Sequence, residues 1–277
     1  MIKFDLPIER SSEDILNRGC FAQNLAQVLL EYSSAESFSI GLYGKWGSGK
    51  TSLLNMVIEK ITAANDGTII LRFNPWLCAD ANQLISQFFK QLATAIRMKQ
   101  SAKEQAWQLI DQYGDFFEMT NMIPVVGGVL STGSKLLVKK AGKKAGKKAG
   151  QCDLQLKKNE IVDKLKKEKI KVIVTIDDID RLSEEEIIAV FQLVKSLADF
   201  PNMVYLLAFD YNVVIRALSK IQHGDGKEYL EKIIQVPFEI PAPNMENIYG
   251  SLFNKLNDIL GDVPEENWDV GAWYQIF

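Results

Sequence analysis

The stretch Phe38-Ser39-Ile40-Gly41-Leu42-Tyr43-Gly44-Lys45-Trp46-Gly47-Ser48-Gly49-Lys50-Thr51 decides the fold. Its first six residues read as a short strand rich in strand formers. The next eight match the pattern G-x-x-x-x-G-K-[ST] in full, and a helix is predicted over 51–63. A phosphate-binding loop belongs between such a strand and such a helix. Glycines at 44, 47 and 49 permit backbone angles that a side chain would forbid, so successive N–H groups can face phosphate oxygens. The start of the helix adds the positive end of its dipole. Lys50 is expected to neutralise the β- and γ-phosphates of a nucleotide, and Thr51 to give its hydroxyl to Mg²⁺. Ser48 and Ser52 complete the expected nucleotide-binding set. Trp46 reads either as a nucleotide contact or as packing against the following loop.

Further along, the apolar run Val172-Ile173-Val174-Thr175-Ile176 leads straight into Asp177-Asp178-Ile179-Asp180-Arg181-Leu182. An apolar strand ending in Asp is where a phosphate-loop NTPase holds Mg²⁺, so Asp177 takes the metal role. Asp178, beside it, is the expected catalytic residue that orients or deprotonates the attacking water. That second acid argues for hydrolysis rather than a simple GTP switch. Asp180 and Arg181 read equally as functional groups or as an ion pair capping the next helix. Asp210 closes another strand, 202–209, and reads equally as a γ-phosphate sensor or as the cap of the helix after it.

The remaining pattern fits the same frame. A helix is predicted over 13–32, capped by Ser11 or Ser12, with further helices at 82–99 and 184–198. Strands are predicted at 68–73 and 233–238. This order implies an α/β fold, a three-layer P-loop NTPase whose mainly parallel sheet is flanked by helices.

Composition excludes other chemistry. The chain of 277 residues holds one histidine, His223, so no site can rest on two. Its three cysteines, Cys20, Cys78 and Cys152, form no C-x-x-C pair, which suits a reducing compartment and a cytoplasmic location. The charged start, interrupted by Pro7, does not read as a secretory signal.

Several boxes together carry a family resemblance. They are Asp14-Ile15-Leu16-Asn17-Arg18 with Ala22 and Leu25-Ala26, the loop 41–51, Phe73-Asn74-Pro75-Trp76, the acid box 177–182, and Tyr229-Leu230-Glu231-Lys232-Ile233-Ile234-Gln235 before Pro237-Phe238. In this order they resemble the KAP family of P-loop NTPases, relatives of the STAND and AAA+ ATPases, over about 5–95 and 170–243. The resemblance implies a core in which an intervening strand separates the Asp177 strand from the phosphate-loop strand. It implies hydrolysis of ATP in preference to GTP, with Asn17 and Arg18 near the base and ribose and Lys232 as a phosphate sensor. From the residues alone, the Asn17–Arg18 stretch reads as ordinary helix packing. Many prokaryotic members of the family are linked to phage exclusion or other defence systems, which implies protein partners in a defence or signalling complex, and AAA+ relatives imply a homo-oligomer. Members often carry transmembrane helices between the two acid motifs.

The chain divides by this reading into 1–96, the N-terminal half of the NTPase domain; 97–169, an insert; 170–243, the C-terminal half; and 244–277, the start of a helical lid, read as truncated. Between Met119 and Cys152 there is no acidic residue. The uncharged stretch 119–134 is too short for a spanning helix, which needs about 20 apolar residues. Lys-Lys-Ala-Gly then repeats three times from Lys139 to Gly150. That arm reads as a solvated loop, as a nucleic-acid contact, or as a peripheral contact with anionic lipid. Glycines in it oppose a persistent helix. The net charge of −3 becomes −10 once Lys135 and the six repeat lysines are set aside, so the chain is an acidic body with one basic arm. Two other functional classes fit less of this pattern. One is a P-loop kinase of a small substrate, which the paired carboxylates disfavour. The other is a binding module in which nucleotide is only structural.

Overall fold

The computed structural model describes residues 6–64, 66–78, 80–99, 104–120, 122–125, 128–131, 145–220, 225–261, 264 and 271. Strands β1 (Phe38–Tyr43), β2 (Ile69–Phe73), β5 (Val172–Ile176), β6 (Met203–Phe209) and β7 (Val236–Glu239) form one sheet in the order β2-β5-β6-β1-β7. Every pairing in it is parallel. Strand β6 therefore lies between the phosphate-loop strand and the Asp177 strand, as the resemblance implies. Central strands β5 and β6 are buried at every residue, because helices cover both faces. Edge strand β7 alternates between half-buried and exposed, and it accommodates Pro237, which has no N–H to give a ladder.

Side chains alternate across the sheet. Val204, Leu206 and Ala208 of β6 join Ile40 and Leu42 under α1 (Gly19–Glu31) and α2 (Lys50–Ala64), where Leu25, Leu29, Leu53 and Val57 meet them. Met203, Tyr205, Leu207 and Phe209 face the other way, into a larger core. That core is filled from α3 (Ala81–Lys99), α4 (Glu104–Thr120), α5 (Ala145–Glu168), α6 (Glu184–Gln192), α7 (Tyr211–Leu218) and α8 (Gly226–Glu231). Phe89 of α3 meets Tyr113 of α4 edge-on at 4.9 Å and stacks on Phe117 at 5.8 Å. Ile161 and Leu165 of α5 join the same core. Both helical flanks of the region 97–169 are thus built into the sheet's cover.

Several expectations change. The first helix is shorter than 13–32. Ser11–Glu13 is a single tight turn, and α1 starts only at Gly19. Asp14 causes the delay: its carboxylate accepts the amides of Leu16 (3.1 Å), Arg18 (2.6 Å) and Gly19 (2.7 Å), and Asn17 takes a left-handed backbone (φ 57°). Ser11 does not cap this helix; it donates to the Glu59 carboxylate. The last strand begins at Val236 rather than 233, because the amides of Ile233 and Ile234 both bond back to the Leu230 carbonyl. Helix α6 continues into a wider, π-helical turn over Leu193–Leu197, where the Ala198 amide bonds the Leu193 carbonyl at 2.9 Å. The uncharged stretch contains an antiparallel pair, β3 (Met122–Val125) with β4 (Gly128–Ser131). Helix α5 includes the end of the lysine repeat despite its glycines, while residues 132–144 lie outside the described residues. His223 and 272–277 lie outside them too. Among the described residues, no helix is long and apolar enough to cross a membrane. Asn244 caps α9 (Met245–Leu260), none of whose residues is buried.

Candidate nucleotide-binding site

Because the sheet is parallel, the carboxyl ends of its strands share one edge, and the functional residues gather there. The loop after β1 is anchored by the Gly44 amide on the Phe209 carbonyl (3.1 Å) and closed by the Ser48 amide on the Lys45 carbonyl (3.1 Å). A side chain at Gly44 would sit 2.4 Å from Ser48 Oγ and 2.9 Å from Ile240 Cδ1. Gly47 and Gly49 take φ of 76° and 85°, the left-handed region that favours glycine. The Leu53 amide makes the first helical bond, to the Gly49 carbonyl at 3.0 Å. Amides at the helix start have no intrahelical acceptor, which leaves them for an anion.

Lys50 is buried. Its Nζ donates to the carbonyls of Gly44 (3.0 Å) and Lys45 (3.3 Å) and lies 3.6 Å from the buried carboxylate of Asp180. Thr51 Oγ1 donates to Asp177 Oδ2 at 2.6 Å, which joins the helix of the loop to the end of β5. Asp177 Oδ1 accepts the amide of Asp178 at 2.8 Å. Asp178 itself is left-handed (φ 58°), a conformation that a short polar side chain tolerates. Burial, followed by the charge of Asp177, pushes its carboxyl above the usual carboxylate range, and Arg181 opposes the shift. Arg181 Nε forms an ion pair with Asp178 Oδ1 at 2.8 Å, and its guanidinium lies 4.6 Å from the Trp46 ring centre. Asp180 and Arg181 therefore pair with Lys50 and Asp178 rather than capping α6. Ser183 is the cap there, through a reciprocal box with Glu186.

A cleft of about 450 Å³ opens over this arrangement. Trp46, Gly49, Lys50, Thr51, Asp178 and Arg181 line one side, and Pro7, Ile8, Asp14, Leu16 and Arg18 the other. Ser52 also lines it, and its Oγ accepts the Ile8 amide at 3.3 Å. Arg18 is buried and donates from Nη1 to the Ser48 carbonyl (2.6 Å) and from Nη2 to the Pro241 carbonyl (2.7 Å). Burial lowers its pKa, and Asp14 partly offsets this. Arg18 thus ties the entry segment, the phosphate loop and the chain leaving β7 together.

Other candidates sit elsewhere. Asn17 is exposed and is not among the residues lining this cleft. Asp210 caps α7 through the amides of Asn212 (2.9 Å) and Val213 (3.4 Å) and lines a second cleft of about 830 Å³ beyond Gly44 and Lys45. Lys232 is exposed and bonds Glu228 one turn back at 2.6 Å. Sequence reasoning missed the wall made by Pro7, Ile8 and Asp14, although an Asp side chain is a known competitor for nearby backbone amides.

Hard oxygen donors suit Mg²⁺, and the Thr51 hydroxyl and Asp177 carboxylate provide them side by side. Among the described residues, no three carboxylate, histidine or cysteine side chains converge to hold a metal unaided. A site with one or two protein oxygens fits an ion that shares itself with substrate phosphates and water.

Several known proteins are similar to this chain. The chain is 28% identical to the phage T7 exclusion protein of Escherichia coli K12 over 96% of its own length and 38% of the relative's. Solved structures similar to it include Cdc6p from Pyrobaculum aerophilum, at 11% identity over 91% of this chain and 51% of that one, with a TM-score of 0.48. The ORC2 protein of Aeropyrum pernix gives 14% identity over 86% and 51%, with a TM-score of 0.44. The chain thus spans well under half the length of the curated relative and about half of each solved one. A model of the KAP family P-loop domain matches residues 18–277, and the chain belongs to that family.

Proposed function

We propose that this chain is a Mg²⁺-dependent ATPase that couples nucleotide state to conformational change in an assembly. The single observation that carries the reading is the 2.6 Å contact between Thr51 and Asp177, with Asp178 adjoining. Thr51 and Asp177 would hold Mg²⁺, which when bound neutralises charge on the phosphate oxygens. The amides at the start of α2 and the charge of Lys50 receive the phosphates. Asp178 accepts the proton of the attacking water on a carboxylate oxygen. Arg18 and the entry segment 6–16 wall off the cleft on the side where the base and ribose would lie.

Similarity to the phage T7 exclusion protein of Escherichia coli supports a setting in anti-phage defence. Partners are then protein components of such a system or further copies of this chain. The lysine-rich arm from Lys139 to Gly150 would add a contact with nucleic acid or anionic lipid, made from the cytoplasm.

Phosphate release with Mg-ATP tests the reading, with the chain alone and with DNA, liposomes or candidate partners. Turnover is expected, and Lys50→Ala and Asp178→Ala are expected to abolish it. Nucleotide binding without hydrolysis under every condition would sink the ATPase claim and favour a module that uses nucleotide structurally. Deleting residues 139–150 is expected to spare basal turnover; loss of nucleotide binding on that deletion would show that the arm belongs to the site.

A further inference from the structure

We propose that Arg181 is a positioning residue for Asp178, clamped in place by Trp46 of the phosphate loop. This rests on the hydrolase reading above and names a part of the same site.

Asp178 has few ways to be held by its own backbone. Its amide is committed to Asp177 Oδ1, and its backbone is left-handed, with φ of 58°. What fixes the carboxylate is Arg181, from the far end of the same tight turn. The Arg181 amide bonds the Asp178 carbonyl at 3.1 Å, and Nε forms an ion pair with Oδ1 at 2.8 Å. Among the described residues Oδ2 makes no hydrogen bond, so one oxygen is gripped and the other stays an acceptor.

A half-exposed ion pair three residues apart holds nothing firmly by itself. The third member changes that. Trp46 is 72% exposed, and Arg181 lies over its ring. A planar guanidinium held over an aromatic face loses rotational freedom, and here it keeps Nε 2.8 Å from the carboxylate. Lysine has no such plane. Trp46 also belongs to the loop that receives phosphate, one residue before Gly47. The contact therefore adds to the Lys50–Asp180 pair a second link between the loop after β1 and the turn after β5. When the loop is set, the carboxylate that handles water is set with it.

The test compares turnover with binding in the purified chain. Arg181→Ala and Trp46→Leu are each expected to lower kcat about 10- to 100-fold, the usual effect of a misplaced catalytic group, while affinity for a non-hydrolysable ATP analogue changes less than about threefold. Arg181→Lys keeps the charge but not the stack, and it should fall close to Arg181→Ala. Trp46→Phe keeps a ring face and should lose less than Trp46→Leu. The double variant should be no worse than Arg181→Ala alone, since both changes break one device. A second readout needs no turnover: the part of the tryptophan emission that Trp46→Phe removes should shift in Arg181→Ala without nucleotide.

Additive losses, a parallel fall in affinity and kcat, or full rescue by Arg181→Lys would each overturn the proposal. So would Trp46 emission that ignores Arg181. If the unaltered chain hydrolyses nothing, the ATPase reading and the positioning role fall together, and the emission shift still decides whether the clamp exists.

Discussion

Replacing Gly49 with alanine loads the loop at its tightest point. Two penalties are separable there. The first is backbone strain: φ is 85°, and an L-residue in that region costs about 1–2 kcal/mol. The second is steric, because the added Cβ would lie 2.7 Å from Arg18 Nη1. Arg18 is buried and its two ends are bonded at 2.6 and 2.7 Å, so it cannot swing aside without stretching those bonds. Losing one hydrogen bond from a charged group costs about 1.5–3 kcal/mol. Gly49→Ala should therefore cost about 2.5–5 kcal/mol in all. Gly47 is the control: its φ is 76°, yet nothing lies within 4 Å of an added Cβ. Gly47→Ala should cost only the strain, about 1–2 kcal/mol. For a chain of this size about 2 °C of Tm corresponds to 1 kcal/mol, so melts without nucleotide should fall by about 5–10 °C for Gly49→Ala and about 2–4 °C for Gly47→Ala. The decisive step is a cycle with Arg18→Met. In that background the clash is gone, and Gly49→Ala should cost no more than Gly47→Ala, a coupling of about 1.5–3 kcal/mol. Equal costs at the two glycines, or additivity with Arg18→Met, would refute the claim that Arg18 is packed rigidly against the loop.

Phe117→Ala should destabilise the whole domain by about 3–5 kcal/mol in urea unfolding, since Phe117 is fully buried against Phe89; a loss below about 1 kcal/mol would make α4 a separable attachment. Asp210→Ala should remove the α7 cap for about 1 kcal/mol, whereas Asp210→Asn keeps a capping oxygen and should hold the melting temperature. Loss of hydrolysis in Asp210→Asn without loss of stability would assign Asp210 to the phosphate instead. Asp178→Asn should bind nucleotide without turning it over and should melt higher than the parent at neutral pH. Folding raises the pKa of this carboxyl, so its protonated form favours the fold below the ordinary Asp range and that benefit is lost as pH rises through the folded value. The gain in melting temperature should therefore shrink in acid; a gain independent of pH would point to another cause.

How much of this was legible in the residues varies with how local each feature is. The phosphate loop, the acid at the end of β5 and the alternation of strands and helices are written in consecutive residues. Glycine permits the turn, an apolar run makes the buried strand, and Asp at its end meets solvent. The cap on α7 was readable for the same reason, since Asp210 and the amides that it accepts are neighbours. Asp14 was harder, because its carboxylate competes with the very helix that the periodicity of 13–32 suggests. The glycines of the lysine repeat argued against a helix, yet α5 extends over its end, continuous with the core-packed turn that carries Ile161 and Leu165.

What no local pattern could contain is which distant groups meet. Thr51 and Asp177 are 126 residues apart, and Arg18 and Pro241 are 223 apart. The stack of Arg181 on Trp46 likewise spans two strands that do not pair with each other. The sequence by itself determined the chemistry on offer: a loop for phosphate, a lysine, a hydroxyl and adjacent carboxylates. Only the tertiary structure decided that Lys50 rests on Asp180, that Arg18 braces the loop, and that Arg181 lies over Trp46. The reason is physical. Backbone hydrogen bonding and side-chain periodicity act over a few residues, whereas side-chain encounters at the sheet edge follow from strand order and helix packing, which are settled by burial of the whole core.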